Sequence, residues 1–147
     1  MFAGTWLNSA RLLMQERKNT TESRIKMATV FCNIYHENKW PWGESVKVIT
    51  PNGMGVVEMS FENNNPGVCY LSGLSVHPSM RRQGIATMLM YCCIDYCKQR
   101  GVFRIDLNSV KESFVVDFYK KLRFSPLEEE NGFIPMYKLM AEDNDQY

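Results

Sequence analysis

Two adjacent arginines and a bare loop, Arg81-Arg82-Gln83-Gly84-Ile85-Ala86-Thr87, are the residues of this chain whose types and spacing point most directly to chemistry. Leu74-Ser75-Val76 and the polar turn His77-Pro78-Ser79-Met80 lead into them, and an apolar helical pattern follows. Where a loop delivers the chain into a helix, the first N–H groups have no intrahelical acceptor and the helix dipole adds positive potential. Arg81 and Arg82 place two charges at that same end. Gly84 and Ala86 carry little or no side chain, so an anion can approach the backbone itself. Together these features describe a phosphate seat. It is not a Walker loop, because no Gly-Lys-Ser/Thr follows the glycine. The dinucleotide fingerprint needs three glycines at a different spacing.

Other reactive side chains are scattered. His36 and His77 read as strand-edge and turn residues rather than bases. Glu58, in a β-rich run, is either a base acting through water or a residue on a solvated strand face. The five cysteines, Cys32, Cys69, Cys92, Cys93 and Cys97, lack the paired spacing of a zinc site, so no metal is expected. They read as buried thiols, which implies a reducing compartment and hence the cytoplasm. No apolar run reaches bilayer length, and the N-terminus shows no secretory pattern. With 17 basic and 16 acidic side chains the net charge is +1, which argues against a nucleic-acid partner.

The elements that must hold the loop follow from periodicity. Ile85, Met88, Leu89, Cys92, Cys93 and Tyr96 fall on one helical face, and Gly101 is the expected stop. Upstream, Ala28 to His36, Ser45 to Thr50, Met54 to Phe61 and Val68 to Val76 read as strands of an antiparallel meander, with Trp40-Pro41-Trp42-Gly43 as the first turn. Asn52-Gly53 between two β-rich runs is a hairpin signal. Downstream, Phe103 to Leu107 is a strand, and Ser109 and Glu112 form a capping box for a second helix. Phe114, Val115, Phe118 and Leu122 would be its apolar face, and Phe133 to Met140 the last strand. At 147 residues this makes one domain, expected over 27–140, after an extension of uncertain structure (1–26) and before an acidic, disordered tail (141–147). The short stripe from Trp6 to Met14 in the extension is either a docked helix or a segment outside the domain. The class is mixed α+β, with the first helix joining two strands that would lie parallel.

Arg81-x-x-Gly84-x-Ala86, preceded by Leu-x-Val-x-Pro and followed by an apolar helix, resembles the acetyl-CoA loop of the GNAT family of N-acetyltransferases. Phe118-Tyr119-Lys120-Lys121-Leu122-Arg123-Phe124 is similar to that family's Phe/Leu-Tyr-x-x-x-Gly-Phe segment, which follows the loop at this distance. The two motifs cover about half the chain. The resemblance implies a twisted, mixed sheet with helices on its faces, whose parallel strands splay so that pantetheine lies between them. It implies that Leu74, Ser75 and Val76 bond the pantetheine arm, and that Arg81, Arg82, Gln83, Gly84, Ile85, Ala86 and Thr87 hold the phosphates. It further implies that Asn108 contacts the cofactor and that Tyr119 stands near the thioester sulfur as the catalytic residue.

Several positions depart from the family pattern. Arg123 replaces the usual glycine, and the asparagine usual at the start of the second helix is missing around Glu112 and Ser113. Tyr70 stands where some members carry a glutamate base. The helical pair that follows the first strand has no room between His36 and Ser45, so it is reduced or absent. The implied activity is acetyl transfer from acetyl-CoA, as co-substrate, to a primary amine on a small molecule or peptide. The alternative is a non-catalytic acyl-CoA-binding sensor or interaction module of the same fold. No membrane partner is expected, and the oligomeric state stays open, a dimer included.

Overall fold

The structure, a computed structural model, describes residues 32–81 and 84–143. Strands β1 (Asn33–Trp40), β2 (Gly43–Ile49), β3 (Gly55–Glu62) and β4 (Asn65–Val76) form the antiparallel meander. A short 3-10 turn (Pro78–Met80) leads to helix α1 (Ile85–Arg100). Strand β5 (Arg104–Ser109), helix α2 (Ser113–Lys121), the two-residue strand β6 (Ser125–Pro126), β7 (Ile134–Leu139) and a single helical turn, α3 (Met140–Asp143), complete it. The described sheet has seven strands in the order β1-β2-β3-β4-β5-β7-β6, with β4 and β5 parallel and every other pair antiparallel. The expected α+β class with a mixed sheet is what the chain adopts.

The β2–β3 hairpin forms as Asn52-Gly53 predicts. Gly53 takes φ 74°, and the Asn52 carboxamide accepts from the Met54 N–H at 3.1 Å, fixing the turn with a side chain. Strand β4 holds the decisive irregularity. Glu58 pairs with Gly73 but the next residue, Met59, pairs with Leu71, so Ser72 is an extra residue bulged out of the ladder. A bulge bends its strand and sharpens the twist. The parallel ladder with β5 runs from Val68–Arg104 to Leu71–Leu107 and stops immediately before that bulge. Strands β4 and β5 therefore fork beyond Leu71, and β5 continues against β7 alone.

One face of the sheet carries the core. Val46, Val57, Met59, Cys69, Leu71, Ile105, Leu107 and Met136 are buried there beneath Leu89, Met90, Cys93 and Cys97 of α1. Helix α1 is buried more completely than its expected stripe: Met90, Tyr91 and Ile94 are buried as well, while Tyr96 is only partly covered. It stops at Gly101 (φ 86°) as expected, with the Val102 N–H on the Cys97 carbonyl. Arg100 ties this end to the sheet by pairing with Glu44, bonding the Tyr96 hydroxyl at 3.1 Å and lying 3.7 Å above the Phe61 ring centre. Burial opposes the charge on Arg100, but its bonds to Glu44 and Tyr96 outweigh that and raise its pKa.

Four expectations need correction. The first strand runs to Trp40 rather than His36, because Trp40 and Trp42 stack at 4.6 Å around a turn of only Pro41 and Trp42; residues 28–31 lie outside the described residues. No capping box forms, because Ser109 belongs to β5, paired with Ile134, and its hydroxyl donates to the Val110 carbonyl. Glu112 caps α2 through its backbone carbonyl alone. Of the expected face of α2, Leu122 is buried and Val115 and Phe118 pack against the core, but Phe114 is 75% exposed, and Val116 and Tyr119 are buried in addition. Finally, residues 140–143 of the expected strand end and acidic tail form α3, whose Met140 N–H bonds the Phe103 carbonyl at 2.9 Å. The Trp6 to Met14 stripe and residues 144–147 lie outside the described residues.

Candidate active site

At the mouth of the fork stands the N-terminus of α1. Gly84, its N-cap, adopts φ 79°, a left-handed conformation that glycine takes without penalty. No side chain caps this end, and the first intrahelical bond is from the Met88 N–H to the Gly84 carbonyl. The N–H groups of Ile85, Ala86 and Thr87 thus have no acceptor among the described residues. A Cβ built on Gly84 would meet nothing within 4 Å, so the backbone is open from outside. Arg81 lies next to this end, but its Nε donates to the Val76 carbonyl at 3.1 Å. His77 is structural, as its Nδ1 accepts from the Ser79 N–H at 3.2 Å and caps the 3-10 turn. Arg82 and Gln83 lie outside the described residues.

Leu74, Ser75 and Val76 form the β4 arm of the fork, paired with Val57, Val56 and Gly55 on one side and with no strand on the other among the described residues. Alternate residues of such an arm present N–H and C=O groups to the gap. At the vertex, the Asn108 carboxamide donates to the Tyr70 hydroxyl at 3.1 Å, bridging β5 to β4 on the sheet face away from α1.

Tyr119 enters from the opposite face. It closes α2 in a Schellman motif: the Phe124 N–H bonds the Tyr119 carbonyl (3.0 Å) and the Arg123 N–H bonds that of Lys120 (2.9 Å). The ring sits edge-on to Phe118 at 5.1 Å and Phe124 at 5.7 Å and is 8% exposed. Burial, and secondarily the neighbouring Cys93, raise the phenol's pKa above its ordinary value, so it holds its proton at neutral pH. Lys138 reaches the same helix end, its Nζ donating to the Leu122 carbonyl at 3.0 Å.

A model of the acetyltransferase (GNAT) family matches residues 15–124, three quarters of the chain. The chain belongs to the GNAT acetyltransferase family. Among curated proteins none matches its sequence. Solved structures share its fold. The PaiA N-acetyltransferase of Thermoplasma acidophilum, in complex with coenzyme A, aligns with a TM-score of 0.55 at 18% identity, over 65% of this chain and 59% of that one. An acetyltransferase of Bacillus cereus aligns at 0.54 and 23% identity, over 66% and 74% of the two chains. A Bacillus subtilis acetyltransferase in complex with CoA aligns at 0.57 and 14%, over 74% of this chain and 98% of that one.

Two departures of this GNAT domain from its family's pattern have a physical account. Arg123, where members usually carry glycine, takes φ 70° and completes the Schellman motif with strain. Tyr70, in place of a glutamate, spends its hydroxyl as the acceptor of Asn108. Around Tyr70 and Asn108 lies a group of residues that the motifs did not reveal. Arg104 and Asp106, on the face away from α1, form a two-pronged ion pair (Nε–Oδ1 2.9 Å, Nη2–Oδ2 3.0 Å). With Leu127, Pro135 and Tyr137 they line a cavity of about 650 Å³. Strict alternation of Arg104, Asp106 and Asn108 along one strand was the available signal. Among the described residues no group of three or more His, Cys, Asp or Glu could hold a metal, and no helix is long and apolar enough to cross a membrane.

Proposed function

We propose that this protein transfers an acetyl group from acetyl-CoA to a primary amine by direct attack, with both substrates bound. The observation that carries the reading is the fork between β4 and β5, which opens at the Ser72 bulge and ends at an uncapped helix N-terminus. The residues of the fork and of the α1 N-terminus fit the cofactor. The N–H groups of Ile85, Ala86 and Thr87 suit its pyrophosphate, with Arg81 alongside and Arg82 and Gln83 next to it in sequence, and the β4 arm from Leu74 to Val76 suits its amide-bearing chain. Bound acetyl-CoA would supply an activated acyl group on sulfur.

The chain's own residues do the rest. Backbone N–H groups of the β4 arm polarise the carbonyl, and Tyr70 with Asn108 orient the amine on the other face. The amine, with a pKa of about 10, must lose its proton before attack. Glu58, opposite Gly73 on β3, lies on the same face and receives that proton through water. The nitrogen lone pair forms the new C–N bond, the C–S bond breaks, and the sulfur leaves with its electron pair. Tyr119 then donates the phenol proton to it and regains a proton, through solvent, from the one the nitrogen sheds on becoming an amide. Little acid strength is required, since a thiol has a pKa of about 8.5. An acyl-cysteine route is disfavoured by the buried thiols. Cys97 and Cys32 push up the pKa values of Cys69 and Cys92 respectively, as does burial, and burial first, with Cys97 and Cys32 behind it, does so for Cys93.

Gly84→Asp and Gly84→Asn test the reading together, because both side chains tolerate the left-handed conformation and differ in charge. Calorimetry should find acetyl-CoA bound at least roughly tenfold more weakly by the Asp variant than by the Asn variant, as an anion beside the phosphates requires. Equal affinities would place the phosphates elsewhere. Free thiol released with an amine separates the enzyme from a non-catalytic acyl-CoA-binding module.

A further inference from the structure

We infer that the acceptor is an amine carried on an apolar or aromatic body, with no second positive charge, seated in the cavity over β5 and β7. This rests on the acetyl-transfer reading for the direction of attack. The cavity has the volume of a small-molecule site, about 650 Å³. Tyr70, Leu107 and Asn108 are in its lining, and Leu107 belongs to the last parallel pair before the fork. The cavity therefore ends at the fork's vertex, on the face opposite Tyr119.

Charge decides the class. Among the described residues Arg104 and Asp106 are the only charged side chains in the lining, and they neutralise each other through two hydrogen bonds. A polyamine or aminoglycoside would have to shed water from several ammonium groups with no carboxylate left to receive them. A single amine must become neutral to react and suffers no such loss. Shape agrees with this. Leu127, Pro135 and Leu139 supply apolar walls, and Leu127 at the rim is 57% exposed, a large apolar side chain left in water. The hydrogen-bonding pair, Tyr70 and Asn108, is confined to the reacting end. An adjoining cavity of about 420 Å³ beyond the Arg104–Asp106 pair contains Glu62, so a diamine stretched past that pair is the competing occupant.

The experiment compares 2-phenylethylamine, hexylamine, spermidine and kanamycin by thiol release from acetyl-CoA, and measures 2-phenylethylamine binding to the CoA-loaded protein by calorimetry. Leu127→Asn accompanies the native protein. The expected result is kcat/KM for 2-phenylethylamine at least tenfold above spermidine and kanamycin, falling about tenfold in Leu127→Asn while acetyl-CoA affinity holds. A preference for spermidine or kanamycin, or indifference to Leu127→Asn, overturns the inference and leaves acetyl transfer standing. If no amine is acetylated but 2-phenylethylamine binds and Leu127→Asn weakens it, the pocket stands and acetyl transfer fails. If 2-phenylethylamine neither binds nor reacts, the pocket assignment is wrong.

Discussion

Tyr119 has its geometry set by backbone chemistry rather than by its hydroxyl. Its carbonyl receives the Phe124 N–H and its ring packs edge-on against Phe118 and Phe124, so Tyr119→Phe should leave fold and acetyl-CoA affinity unchanged. The phenol's absence should lower kcat by roughly tenfold to a thousandfold, the span of general-acid contributions. Steady-state kinetics beside an acetyl-CoA titration checks this, and full activity would remove the hydroxyl from the mechanism. A pH signature accompanies it. The folded pKa is raised, so the protonated phenol's contribution to stability is complete below the ordinary value of about 10 and fades as pH climbs through the folded value. In Tyr119→Phe that part of the alkaline decline should vanish from denaturation curves taken across pH 9 to about 12.

Helix ends tell how much could be read in advance. Gly101 advertised its left-handed stop by residue type, and Arg123 hid the same stop behind a side chain that ordinarily avoids it. Arg123→Gly should therefore stabilise the protein by about 0.5–1 kcal/mol, the relief of left-handed strain less the entropy that glycine adds to the unfolded chain. Chemical denaturation reads this directly, and a destabilised variant would mean that the arginine side chain makes a compensating contact. The capping box failed for a different reason. Ser109 and Glu112 have the right spacing, but β7 pairs with β5 up to Ser109 and holds that serine in the sheet. The reading of a phosphate loop and of Tyr119 rests on local motifs. The Ser72 bulge and the cavity over β5 and β7 were not legible, since register and the meeting of Leu127 with Tyr70 depend on strands distant in sequence. Only the motif put Tyr119 inward on α2; helical hydropathy chose Phe114 for that face instead, and Phe114 is exposed.

For the molecule as a whole, the fork is a gap in an otherwise continuous seven-stranded sheet. A ligand that fills the gap with an extended, amide-bearing chain would act as an eighth strand, so occupancy and cohesion become one quantity. Amide hydrogen exchange at Gly73 to Val76 should slow when CoA binds, and unchanged exchange there would mean that the ligand lies elsewhere. The same coupling has a consequence for the protein's lifetime. Binding at a hundred times Kd stabilises the native state by about 2.7 kcal/mol, which lowers the population open to proteases by about two orders of magnitude. A protein whose sheet its own substrate completed would be durable when fed and perishable when starved. Its abundance would then follow the supply of acetyl-CoA with no change in synthesis, and digestion rates across a CoA titration would trace that dependence.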